Sequence, residues 1–206
     1  MRKLLFLAFL LSLIGTLSLP ACRTTGGGDD NSGGNTDDDN GSNDDDASGD
    51  DDNASSYTWT DSSSGLTWQV EPAGNSMSWG EAKSHCDNLN FDGHDDWHLP
   101  TISELRSLIR GCDATVPGGA CDITDDCLDS SCLNGACLNG CDYLAGPGSG
   151  GAYWPLELSG EISMLGHWSS STLADYDFVL FIDFGFGLVN YASGDVASGA
   201  GVRCVR

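Results

Sequence analysis

The chain has 206 residues, with 31 acidic against 8 basic side chains, a formal net charge of −23, nine cysteines and 28 glycines. That charge excludes a nucleic-acid partner, because neutralising phosphates needs a cationic surface that this composition does not supply. Nine cysteines sit poorly in a reducing cytosol unless metal or catalysis uses them, which points to an oxidising compartment. The acids are unevenly spread, and three regions emerge along the chain.

The first region is residues 1–22. Arg2 and Lys3 precede an apolar run over 4–14, and Leu19-Pro20-Ala21-Cys22 closes the stretch. A basic start, a short apolar core and a small residue before the cut make a secretory signal peptide. The run also falls short of the roughly 20 residues that a bilayer-spanning helix needs. The cysteine at the cut resembles the lipobox of bacterial lipoproteins, in which that cysteine becomes diacylated; Pro20 is an uncommon residue inside such a box. Cys22 is therefore the expected lipidation site, and the membrane a partner through the lipid.

Residues 23–56 hold eleven Asp and a single cation, Arg23, with no large apolar side chain. Such a segment has nothing to bury and repels itself, so it reads as a disordered acidic linker between lipid and domain. Arg23 stands where enterobacterial lipoproteins carry an Asp as an inner-membrane retention signal. The expected location is the bacterial cell envelope, in the outer membrane, with the domain displayed at the surface.

Residues 57–206 form the expected folded domain. It keeps 20 acidic and 5 basic side chains, a net charge of −15, together with all six Trp and all five Tyr. That length suffices to bury a sizeable core. Residues 57–60 and 66–70 flank the turn-forming run Asp61-Ser62-Ser63-Ser64-Gly65, which predicts a hairpin. Ser78-Trp79-Gly80-Glu81 is a capping box, and Trp79, Ala82, Cys86 and Leu89 recur behind it with helical spacing. Asn88 or Asn90, with the following Gly93, ends that helix. A second box, Thr101-Ile102-Ser103-Glu104, opens a helix that turns Ile102, Leu105, Leu108 and Ile109 inward. Its Arg106 and Arg110 suit the C-terminal end of the dipole. Further on, 178–184 is a continuous apolar strand, Gly185 and Gly187 supply a turn, and 188–191 returns. Residues 201–205 read as a last strand, with Val202 and Cys204 on one face and Arg203 on the other. The fold class is α+β: two short helices, antiparallel strands and long loops.

With Cys22 lipidated, eight cysteines remain. Cys112, Cys121, Cys127, Cys132, Cys137 and Cys141 crowd into an Asp- and Gly-rich stretch, 112–141, which has too few apolar residues to hold a shape without cross-links. Cys86 and Cys204 would close nearly the whole domain. One long-range disulfide plus three within the 112–141 insert is the expected scheme, and spacing does not assign those three. Zinc is disfavoured there, since the insert lacks tight CxxC knuckles. Calcium is left unassigned: Asp122, Asp125, Asp126 and Asp129, or Asp92, Asp95 and Asp96, could offer oxygens, but neither run matches an EF-hand loop.

Of the four histidines, His85, His94, His98 and His167, none adjoins a recognisable nucleophile motif. His98, between Trp97 and Leu99, has packing as its default role. Ser169-Ser170-Ser171 has no identifiable base, and no constellation supports catalysis. Tyr153, Trp154, Trp168 and Tyr176 lie in loop-like, Gly-rich sequence and are the candidate ligand-binding residues, because aromatic faces beside Asp and Asn suit sugars and peptides. The competing reading, favoured on balance, is that these aromatics fill a core between irregular loops.

Taken together, Gly65-Leu66-Thr67-Trp68-Gln69, then Trp79-x2-Ala82-x3-Cys86-x2-Leu89, then Asp96-Trp97-His98-Leu99-Pro100-Thr101-x2-Glu104-Leu105 resemble the Lcl C-terminal domain family. Trp168-Ser169-Ser170-Ser171 and the ending Val202-Arg203-Cys204-Val205-Arg206 complete the likeness over nearly all of 57–206. His98 stands where the family usually has Arg, and the six-cysteine insert is extra to the common pattern. The Trp-x2-Ala-x3-Cys helix and late cysteine are also similar to the C-type-lectin-like fold, where the helix cysteine pairs with one in the final strands. The calcium and sugar motifs of sugar-binding C-type lectins are missing, and Glu71-Pro72 comes too early to replace them.

The resemblance implies an extracytoplasmic recognition or adhesion module for a glycan or protein partner, without cofactor or catalysis. The family's adhesin precedent is a polyanionic glycan, which the charge of this domain opposes. An extracytoplasmic enzyme distantly related to formylglycine-generating enzymes is one alternative, and a passive structural envelope lipoprotein another. Palmitate labelling should mark the wild-type chain and leave Cys22→Ala unlabelled; a labelled variant would overturn the lipoprotein reading.

Overall fold

The structure, a computed structural model, describes residues 57–160, 166–194 and 200–206. The signal peptide, Cys22 and the acidic linker lie outside the described residues. The domain is α+β, with few and short regular elements joined by long loops.

The hairpin forms as the sequence predicts. Strands β1 (Thr58–Thr60) and β2 (Thr67–Gln69) pair antiparallel with Trp59 opposite Trp68. Their turn is organised by Asp61, whose buried carboxylate accepts the Ser63 amide at 3.0 Å and the hydroxyls of Ser63 and Ser64. Helix α1 (Trp79–Asp87) starts at a complete capping box between Ser78 and Glu81 and ends at Asn88. Helix α2 (Ile102–Arg106) has the same box between Thr101 and Glu104. It runs for little more than one turn, yet Leu108 and Ile109 still point into the core beyond its end.

Three strands make the main sheet, β3 (Gly166–Thr172), β4 (Phe178–Asp183) and β5 (Leu188–Ser193), in the order β3-β4-β5 and antiparallel throughout. Gly187, at φ 59°, makes the turn into β5, and a Cβ there would stand 3.0 Å from Cys112 Cβ and from the Tyr153 ring. β4 reads as continuously apolar because cores lie on both of its faces. Leu180 and Ile182 face a cluster with Trp68, Ile102, Leu105 and Trp154, while Val179 faces a second cluster with Ala82, Cys86, Trp97 and Trp168.

β3 forms where the sequence predicts loop. It carries a bulge between Trp168 and Thr172, where Ser170 donates its amide to Pro100 O and Ser171 Oγ accepts the Ile102 amide. A serine-rich strand emerges because its hydroxyls satisfy neighbouring backbone rather than water. The expected last strand at 201–205 is not one. It makes only isolated bridges, Gly201 to His167 and Val205 to both Trp68 and His98. All five of its residues are buried, so the in-out alternation expected of Arg203 is absent.

All eight cysteines of the domain are paired. Cys86–Cys204 spans 118 residues, a closure worth about 5 kcal/mol in the chain-entropy model. The insert pairs as Cys112–Cys141, Cys121–Cys137 and Cys127–Cys132, and it contains the short helix α3 (Gly135–Asn139), capped by Asn134.

Two buried arginines tie loops to this frame. Arg106 does not serve the dipole at the surface, as its position predicts, but is 2 % exposed. It donates to the carbonyls of Thr115, Val116, Cys121 and Ile123, four points on the insert. Arg203 donates to the carbonyls of Gln69, Val70 and Ser159 with its guanidinium 5.5 Å from the Trp154 ring centroid. Burial lowers the Arg203 pKa to about 9, against a smaller opposing pull from Glu71, which still leaves it charged at neutral pH.

At the hairpin, burial would raise the Asp61 carboxyl, but the bonds from Ser63 and Ser64 and the charge of Arg110, 3.3 Å away, outweigh it and hold it below its ordinary 3.8. A carboxylate depressed on folding contributes stability that is present above 3.8 and lost as pH falls through the folded value. Asp61→Asn should therefore cost stability at neutral pH, and the gap to wild type in urea unfolding should narrow on acidification. A gap that stays constant down to strong acid would contradict this role.

Candidate functional site

The sheet face that carries Leu180, Ile182 and Val189 into the core continues past them. Cross-strand pairing places Tyr191 opposite Leu180 and Ser193 opposite Phe178, so Phe178 and Tyr191 occupy the same face further along. The insert covers this face only in part. Where cover ends, a groove of about 320 Å³ opens between Leu133 and Leu138 of the insert and Leu173, Tyr176, Phe178 and Tyr191 of the sheet. Ser130 stands at its edge. Tyr176 is 56 % exposed, Tyr191 42 % and Leu138 39 %, a stretch of uncovered apolar surface. The Phe178 ring links the two tyrosines, with centroids 6.0 Å from Tyr176 and 5.2 Å from Tyr191.

The groove is bordered by acids. Asp175 accepts the Ser130 amide at 3.3 Å and hydroxyl at 3.1 Å, joining the β3–β4 turn to the insert. Asp129 accepts the Ser131 amide at 2.7 Å, and this bond, the Ser131 hydroxyl and a side-chain interaction with Asp175 keep its carboxyl below the usual range. Asp177 is exposed beside Tyr176.

Of the four aromatic candidates, only Tyr176 reaches this surface. Tyr153 is buried, its hydroxyl donating to Asp142 O at 2.8 Å. Trp154 is buried between His167, Phe184 and Arg203. Trp168 is buried on β3, its indole N–H donating to Met77 O at 2.8 Å. These three cannot meet a ligand in this fold; in a domain with so much loop, large aromatics supply the apolar volume that regular elements do not. Leu138, Phe178 and Tyr191 were missed. The signals available were the three leucines of a polar insert, Leu128, Leu133 and Leu138, and the alternation that puts Tyr191 on the Val189 face; neither reveals where cover stops.

The polar candidates are engaged locally. Ser169 Oγ donates to Leu180 O and Ser171 Oγ accepts the Ile102 amide. His98 does not pack in the core as its neighbours suggest. Its Nε2 lies 3.1 Å from Glu104, so the same carboxylate serves the capping box and the imidazole. His167 is buried between Trp154 and Phe184. Among the described residues no His, Cys, Asp and Glu gather in a group that could hold a metal ion. Of the calcium candidates, Asp122 accepts from Asn134, Asp125 from Ser103, Asp92 from Thr58, and Asp96 pairs with Arg206 at 3.8 Å. A second hollow, about 240 Å³, lies over Arg106 beside Pro117, Gly119 and Asp122.

Core and groove aromatics should separate in a denaturation experiment. Trp168→Ala should destabilise by about 3–5 kcal/mol, the cost of emptying a buried tryptophan site. Tyr176→Ala should stay within about 0.5 kcal/mol of wild type. Equal losses would contradict the assignment.

Comparison with known proteins agrees with this construction. No curated protein and no solved structure gives a significant match. The family model for the Lcl C-terminal domain matches residues 57–206, the whole of the domain described above. Trp68, Ala82, Cys86, Trp97, Leu105, Trp168 and Cys204, which carried the resemblance in sequence, are all buried in one or the other core. The chain belongs to the Lcl C-terminal domain family.

Proposed function

We propose that this protein is a recognition or adhesion module of the bacterial cell envelope, held by a lipid on Cys22 in the outer membrane and presenting a C-type-lectin-like domain to a glycan or protein partner. The observation that carries the reading is the aromatic groove, an exposed apolar surface built by Tyr176, Phe178, Tyr191 and Leu138 on a rigidly cross-linked frame. Apolar clefts with a few polar groups at the edge are the usual form of binding sites. The Cys86–Cys204 bond, which ties α1 to the final segment, supports the lectin-like assignment of the fold.

A role without catalysis is favoured because the polar side chains that could supply it are spent on structure. The described cysteines are all in disulfides, which leaves the thiol-dependent enzyme reading without its nucleophile. A passive envelope component would have no use for an uncovered aromatic surface. Among the described residues no helix is long and apolar enough to cross a membrane.

The test is a glycan array and a pulldown with the full-length protein, with and without calcium. A ligand should emerge whose binding is lost in Tyr176→Ala, while an assay set that returns no ligand, or one indifferent to that substitution, would sink the proposal.

A further inference from the structure

The charge around the groove narrows what can occupy it. The domain has five basic side chains, and each is placed where it does not serve this surface. Arg106 and Arg203 are buried on loop carbonyls. Arg110 pairs with Asp61, Arg206 with Asp96, and Lys83 lies over the Trp79 ring. The groove edge carries Asp129, Asp175 and Asp177 instead. An anionic ligand would meet like charge with no cation to receive it. The same argument removes two internal occupants. The 23–56 linker holds eleven Asp against one Arg, and a second copy of the domain brings another net −15.

The lining separates peptides from neutral sugars. Leu133, Leu138 and Leu173 line the wall with the rings, and its polar groups are Ser130 and the two tyrosine hydroxyls. A pyranose presents hydroxyls around its whole rim, and the leucine side of the groove, away from the acidic edge, offers them no partner. The rings also stand tilted to one another, by 31° and 45°, which gives an angular pocket and not a flat stacking platform. Such a pocket fits an aliphatic or aromatic side chain.

We infer that the groove receives a cationic, apolar peptide segment of another protein, with an apolar side chain seated on Tyr176, Phe178 and Tyr191 and a Lys or Arg at the Asp129–Asp175 edge. This deepens the recognition reading above and rests on it. The apolar contact supplies most of the affinity, and the acids orient the segment and speed its approach, so binding weakens as salt rises.

The experiment pans a phage-displayed random peptide library on the full-length protein, with a neutral-oligosaccharide array in parallel. Enriched peptides should combine an aromatic or aliphatic residue with a neighbouring Lys or Arg. Their synthetic forms should bind Tyr176→Ser and Tyr191→Ser at least about tenfold more weakly, as truncation of a central aromatic does. Asp175→Asn should weaken them several-fold and flatten the salt dependence. Both tyrosines are exposed, so the variants should keep the wild-type melting temperature. Peptides that are acidic, or that bind the tyrosine variants unchanged, would overturn the inference. Neutral oligosaccharides that bind wild type and not Tyr191→Ser, with no peptide doing so, would overturn it and leave the recognition role standing. Failure of both libraries to find the groove would sink both.

Discussion

Everything in this domain depends on finding partners for buried loop backbone. Its helices and strands are few and short, so most carbonyls inside it lack a ladder to join. Backbone–backbone bonds between loops meet most of that need, and two buried guanidiniums take up a further part. Arg106, at the end of α2, gathers four carbonyls of the insert, and Arg203 gathers three from the hairpin side and the loop at Ser159. Each buried guanidinium is accommodated because its donors are directed at carbonyl dipoles, which substitute for water, with a weaker pull from Asp122 on Arg106 and from Glu71 on Arg203. Indole N–H groups do the same at smaller scale, Trp79 to Ser169 O and Trp168 to Met77 O.

Disulfides complete what the arginines begin. Arg106 holds one half of the insert to α2, while Cys112–Cys141 and Cys121–Cys137 close it on itself. A stretch with so little apolar content could not otherwise stand against solvent. Once fixed, it lies over one face of the β3-β4-β5 sheet and leaves the far end of that face bare. The groove is thus a consequence of where cover stops.

This separates family identity from function. The apolar motif residues that mark the family are core residues, and the groove is lined by others: Leu133 and Leu138 from the insert, Tyr176 from the β3–β4 turn and Tyr191 from β5. The proposed binding groove belongs to the insert and the strand faces it meets. Its acidic edge argues against the polyanionic-glycan precedent.

Much of the frame was legible in the sequence, because local rules decide it. Two capping boxes located α1 and α2, the Asp-Ser-rich turn located the hairpin, and cysteine arithmetic in an oxidising compartment gave one long bond and three short ones. What the sequence could not decide was burial wherever local pattern is silent. Trp154 and Trp168 look alike as loop aromatics and are core, whereas Tyr176 looks the same and is exposed. Arg106 and Arg203 carry the pattern of surface cations and are interior. The 201–205 segment alternates like a strand, yet its neighbours bury both sides. In each case the outcome depends on which distant loop covers a face, and that is set by packing across the whole domain and not by the neighbours of a residue in the chain.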